Sequence, residues 1–206
     1  MIDNFLRPAD TGGEWGADVL RVVGLLGILV ALMSHGVTDA AILAFTLPGL
    51  MLPRFIGMRP WADCVVSATL LVAAWSNVYG LYAAVWWWDL VVHFVCAGAL
   101  AAVAYLLLAN RGIVASPSGP GFTEVGAVVL TVVLGLALGA LWEMVEWFGH
   151  AYLTDEIFVT LDDTIGDMAA GGLGALCAGL LLARGSALLL PAARPVSGSP
   201  ERTPNR

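Results

Sequence analysis

Residues 123–150 read TEVGAVVLTVVLGLALGALWEMVEWFGH. No side chain between Glu124 and Glu143 carries a charge, and the run is long enough to cross the roughly 30 Å hydrocarbon core of a bilayer as a helix. The same segment then ends on Glu143, Glu146 and His150. Ionisable groups at a transmembrane position cost about 2.5–3.5 kcal/mol each on insertion scales, so a segment that keeps them points to a use for them. Both the fold and the site are read outward from this stretch.

The rest of the chain agrees with a membrane location. Of 206 residues, 59% are hydrophobic and 12% charged, against about 25% charged in a soluble domain. The length suits one domain of about six short-looped spans. They are placed at 17–34, 38–56, 61–83, 87–109, 123–150 and 163–184. The expected fold is all-α, a polytopic transmembrane helical bundle. Residues 1–16 form a polar N-terminal segment. Residues 185–206 are rich in Pro, Ser and Arg and read as a flexible tail. Pro48 and Pro53 should kink or break the second span. Asp3, Asp10 and Glu14, with one arginine before the first apolar run, make a poor signal-peptide start, so that run is expected to remain as a span. Cys64, Cys96 and Cys177 share no spacing motif and read as small buried hydrophobes. A net charge of −7 and the lack of a basic patch argue against nucleic acid. Membrane lipids are the expected partners.

All nine basic residues are arginine, and their placement predicts orientation. With six spans, Arg7, Arg54, Arg59, Arg111, Arg184, Arg194, Arg202 and Arg206 share one side, with Arg21 near the start of span one on that side. The first, third and fifth loops have none. The positive-inside rule then puts both termini in the cytoplasm. The fifth loop, with Asp155, Glu156 and Asp162, would face outward, and Trp86, Trp87, Trp88 and Trp147 would form an aromatic belt there.

On this topology, the acids and histidines of three spans fall in one layer. Span four runs inward from Asp89, with His93 one turn below. Span five runs outward through Glu143, Glu146 and His150. Span six runs inward from Asp163, with Asp167 one turn below. Asp89 and His93 are i, i+4; Glu143, Glu146 and His150 are i, i+3, i+7; Asp163 and Asp167 are i, i+4. Each set lies on one helical face, and such faces should line a bundle interior or a wet cavity. The blander readings differ by residue. Asp89, Asp162 and Asp163 stand at helix starts, where an acid also serves as a cap. His150 could be solvated at the interface, and His93 could be a buried histidine satisfied by Asp89. Glu143, Glu146 and Asp167 are deep, with no arginine nearby, and have the weakest structural explanation. Loop positions explain His35 and Asp39, whereas Asn77, Tyr79 and Tyr82 could reach the same cavity.

Carboxylates this close repel one another unless something neutralises them. A divalent metal would do so: Zn, Mn or Fe on oxygen and imidazole ligands, or Mg with the histidines held back from the ion. The candidate ligands are Asp89, His93, Glu143, Glu146, His150, Asp163 and Asp167. The candidate catalytic groups are Asp89, His93, Glu143, Glu146 and Asp167. A metal-dependent enzyme on a lipid or other amphiphile is one reading. A proton- or ion-coupled carrier or sensor using the same carboxylates is the other, although the inner halves of spans four to six continue only with Ala, Gly, Leu and Val. A purely structural cluster ranks third, because buried polar pairs in membranes contribute only about 0.6–2 kcal/mol each.

The patterns Trp88-Asp89-x-x-x-His93-Phe94, Glu143-x-x-Glu146-Trp147 and Asp163-Thr164-x-x-Asp167-Met168 resemble the YjdF-like family of bacterial inner-membrane proteins. The resemblance covers residues 86–180 and implies a multi-pass inner-membrane protein; it carries no activity. Phe148 stands where that family has a second tryptophan, and the loop before Asp163 is acidic. A looser similarity to VanZ-like membrane proteins lacks the Glu-x-x-Glu-Trp match.

Overall fold

The computed structural model describes residues 1–117, 119–153, 157, 159–185 and 188–190. Asp155 and Glu156 of the acidic loop, and the tail from 191 with Arg194, Arg202 and Arg206, lie outside the described residues.

A short helix, α1 (Ile2–Leu6), precedes the first long one and stacks Phe5 on Phe55 with ring centroids 4.3 Å apart. The first long helix, α2, spans Gly12–Ser34 and so begins before the apolar run. Thr11 and Glu14 explain the early start. Thr11 Oγ1 accepts from the Glu14 N–H at 3.3 Å, and Glu14 Oε2 accepts from the Thr11 N–H at 3.1 Å. This reciprocal capping box satisfies two backbone donors at once.

The second span is broken just before Pro48, whereas Pro53 lies inside the following helix without ending it. Helix α3 (Val37–Phe45) ends at Thr46, and α4 (Leu47–Ile56) resumes at once. Pro48 has no N–H to continue the ladder across the junction. The left-handed Gly57 (φ 74°) then turns the chain. Helix α5 covers Pro60–Val78, followed by the short α6 (Leu81–Ala84), α7 (Trp88–Asn110), α8 (Glu124–Tyr152) and α9 (Leu161–Ala183). Among the described residues six helical segments, with α3 and α4 counted as one, are long and apolar enough to cross a membrane. No β-strand occurs among the described residues; an isolated bridge pairs Met58 with Leu189.

Helices α7, α8 and α9 pack as a trio. Gly135 of α8 meets Ala175 of α9, whereas a Cβ added to Gly139, four residues on, would have open space around it. The closest approach is between α7 and α9. A Cβ placed on Gly98 would lie 2.6 Å from the Gly174 carbonyl oxygen, and one on Gly174 would overlap the Phe94 carbonyl. Such approaches let transmembrane helices gain packing energy where the hydrophobic effect offers none. The cysteine expectation needs correcting. Cys64 and Cys96 are half-buried and Cys177 is exposed, because an outward-facing position in a lipid-solvated bundle is itself apolar.

At the arginine-rich end the charges are matched. Arg21 reaches both Asp63 oxygens at 2.7 Å, the Leu50 carbonyl at 3.0 Å and Asp18 at 3.0 Å. Arg54 Nη2 donates to the Arg7 carbonyl at 2.5 Å, and Arg7 pairs with Glu14. Arg21 and Asp63 are both buried. Truncating one partner strands the other charge, whereas replacing both by apolar groups removes the conflict. Asp63→Leu should therefore destabilise by about 3–5 kcal/mol, and Arg21→Met with Asp63→Leu by much less. Thermal unfolding in detergent, followed by tryptophan fluorescence, compares the single variant with the double. Equal losses in both would remove the ion pair as the cause.

Candidate functional site

The opposite end of the bundle carries the unmatched acids. It is formed by the starts of α7 and α9 and the end of α8. Trp88 fixes the start of α7 by donating its indole N–H to Ser76 Oγ on α5 at 2.9 Å. Thr160 caps α9 by accepting the Asp163 N–H at 3.3 Å.

His93 is the hub. Its Nε2 lies 3.4 Å from Asp89 Oδ1 and 4.0 Å from Asp167 Oδ2, and its Nδ1 lies 3.8 Å from Glu143 Oε1. The side chains of His93, Glu143 and Asp167 are 10%, 9% and 3% exposed. None of these separations makes a good hydrogen bond. Glu143 Oε1 is fully buried and has no hydrogen-bond partner among the described residues. Two groups have ligand atoms within 4.8 Å of one another: Asp89, His93 and Asp167, and His93, Glu143 and Glu146. The two share one imidazole ring, with α7 supplying it, α8 both glutamates and α9 an aspartate. Among the described residues no arginine pairs with these acids, in contrast to the other end.

A cavity of about 340 Å³ opens beside the first group, lined by Trp86, Asp89, Leu90, Asp163, Gly166 and Asp167 among others. Asp163 and Asp162 stand on its wall but in neither close group. His150 turns aside: its Nδ1 bonds the Ile157 carbonyl at 2.7 Å. The helical stripe places it correctly on α8, but its ring braces the following loop. The tyrosines serve the neighbouring structure. Tyr82 donates to the Ala73 carbonyl at 2.8 Å, and Tyr79 is 63% exposed and stacked on Trp75. Asn77 is exposed. His35 sits edge-on to Trp75 and Tyr79, far along the chain from the acids. Asp18 and Asp63 belong to the ion-pair network at the other end. The i, i+3 spacing of Asp18 and Arg21 is a local signal for the first; the second has none.

A family model described as "Predicted membrane protein (DUF2238)" matches residues 17–187. The chain belongs to this DUF2238 family. The YjdF-like proteins fall within the same family, so the resemblance read from the three acidic motifs holds. The looser similarity to VanZ-like proteins gains no support. No curated protein and no solved structure matches the chain. DUF2238 membership covers the spans that carry the acids, from Ala17 onward, and makes this a multi-pass membrane protein.

Proposed function

We propose that this DUF2238 protein holds a divalent cation on Asp89, His93 Nε2 and Asp167, and uses it in a metal-dependent reaction on the head group of a membrane lipid or similar amphiphile. The observation that carries the proposal is the buried, unpartnered Glu143 Oε1 facing His93 in a cluster without arginine. Two ligands on one cation with bonds of about 2.0–2.2 Å stand roughly 3–4 Å apart, and Nε2 lies 3.4 and 4.0 Å from the two aspartates. One imidazole and two carboxylates suit Zn, Mn or Fe, with Mg the choice if His93 stays outside the first sphere.

The residues then divide their work. Glu143 stands behind the ring with Oε1 3.8 Å from His93 Nδ1, where closing that gap would give Nδ1–H an acceptor and fix the tautomer that leaves Nε2 free to bind. Glu146, in the second close group, is placed to take a proton. A cation held by Asp89, His93 and Asp167 would supply Lewis-acid polarisation of a head-group oxygen or a water. Asp163 on the cavity wall orients what enters. The 29-residue α8 is about 44 Å long at 1.5 Å per residue, longer than the roughly 30 Å hydrocarbon core. With the charged Glu124 at the opposite interface, its Glu143-to-Tyr152 end would reach the head-group layer. The arginine distribution argues for cytoplasmic termini and an outward-facing site, and the likeness to the YjdF-like proteins supports a bacterial inner-membrane location. A carrier would need a wet path toward the other end. Directly beneath His93, however, α7 and α9 meet backbone to backbone at Gly98 and Gly174.

The test is elemental analysis of protein purified in gentle detergent without chelator. Wild-type protein should retain about one equivalent of metal, and Asp167→Asn should lose it. Glu143→Gln should weaken binding by about 10–100-fold, as expected for a group that orients a ligand. Full metal content in both variants would remove the ligand assignment.

A further inference from the structure

A second cavity lies on the same helix seam. It has a volume of about 240 Å³, is almost wholly apolar, and is lined by Phe94, Gly98, Ala102, Gly174 and Ala178 among others, with Trp61 of α5 on one wall. Its α7 residues Phe94, Gly98 and Ala102 continue, four by four, from Leu90, which lines the polar cavity. Its α9 residues Gly174, Ala178 and Leu181 continue the face of Asp163 and Asp167. Residues so spaced share one side of a helix. The polar cavity and the apolar groove are therefore successive parts of one α7–α9 seam, on the side away from the α8 contact made by Gly135 and Ala175. From Asp89 to Ala102 the seam runs about 20 Å, slightly more than the depth of one leaflet's hydrocarbon.

We infer that the groove holds an acyl chain of the same amphiphile whose head group occupies the polar cavity, so the substrate class is a lipid bound head and tail along the seam. This inference rests on the proposed function for its head-group end. Lipid tails are as apolar as the groove, so burial alone gives no preference for it. The preference comes from the tether: a head group held at the acidic end raises the local concentration of its own chain over the groove. Small residues on both helices, Ala102 and Ala178 among them, line the groove together with Phe94 and Trp61.

The experiment uses the full chain reconstituted in phosphatidylglycerol vesicles doped with a phosphatidylglycerol that carries a diazirine on its acyl chain. Cross-linked residues are mapped by mass spectrometry, and metal content is measured on the same samples. Labelling should concentrate on Phe94–Ala102 and Gly174–Leu181, above the level on the exposed face of α2. Ala178→Phe, and independently Ala102→Phe, should reduce it to that level while metal content stays that of the wild type. Seam labelling no stronger than that of α2, or labelling unchanged in both filled variants, overturns the groove assignment. Asp167→Asn separates the two proposals. Seam labelling that falls with the metal supports the tether. Seam labelling that persists without metal overturns the head-to-tail assignment. A wild-type protein without metal sinks the cation reading on its own.

Discussion

Gly174→Leu is expected to prevent the α7–α9 seam from closing. The tightest approach in the bundle is at this residue: an ideal Cβ there overlaps the Phe94 carbonyl oxygen and lies 2.7 Å from its carbonyl carbon and 3.1 Å from its Cα. These are backbone atoms of a helix and cannot rotate aside as a side-chain tip can. Overpacking a well-packed core usually costs about 1–3 kcal/mol, and a backbone collision belongs at or above the top of that range. Gly139→Leu on α8 is the control, since nothing lies within 4 Å of its Cβ position. Removing glycine from a helix interior there should stabilise by some tenths of a kcal/mol. Yield and thermal unfolding in detergent should therefore collapse for Gly174→Leu and hold for Gly139→Leu. The prediction bears on function too, because Asp167 sits two turns above Gly174 and is positioned against His93 by the same seam. Equal behaviour of the two variants would show that α7 and α9 do not meet here.

Gly174 also marks the limit of the sequence. Hydropathy located the six spans, and Pro48 foretold the break at Thr46. Both depend only on local composition and on a missing N–H. Gly135 and Gly139 stand four apart, as do Gly171, Ala175 and Gly179, yet the closest contact falls on Gly174, and a Cβ added to Gly139 would meet nothing within 4 Å. Spacing states which residues share a face, but not which face turns toward which neighbour. His150 illustrates the same limit. Its i+7 position from Glu143 puts it on the acidic stripe, but its ring is held by the Ile157 carbonyl, a partner supplied by the loop. The start of α2 lies outside the apolar run, but Thr11-Gly-Gly-Glu14 carries the spacing of a capping box in plain sequence. The pairing of Asp63 with Arg21, 42 residues apart, required the tertiary fold. The acidic layer itself was legible because strict alternation of span direction fixes which helix ends meet, and depth then follows from counting residues.

His93 should show the largest effect within the site. Its ring is the one basic group near Asp89, Glu143 and Asp167 among the described residues, and both close ligand groups contain it. His93→Leu should abolish metal retention, because what remains on either side is carboxylate alone. It should also lower thermal stability, because the acids then face one another with neither imidazole nor cation between them. His93→Arg separates the two effects. A guanidinium carries a fixed charge, offers several donors and cannot act as a ligand. It should neutralise the acids in place of the metal, so the arginine variant should be metal-free yet more stable than His93→Leu. The polar cavity beside Asp89 and Asp167 gives the longer side chain room to reach them. Melting curves with and without added Mn²⁺ or Zn²⁺ read both effects together: the wild type should gain stability from metal, and neither variant should. If His93→Arg still took up metal and was stabilised by it, the cation would be held by the carboxylates alone, and His93 would be an ordinary buried histidine.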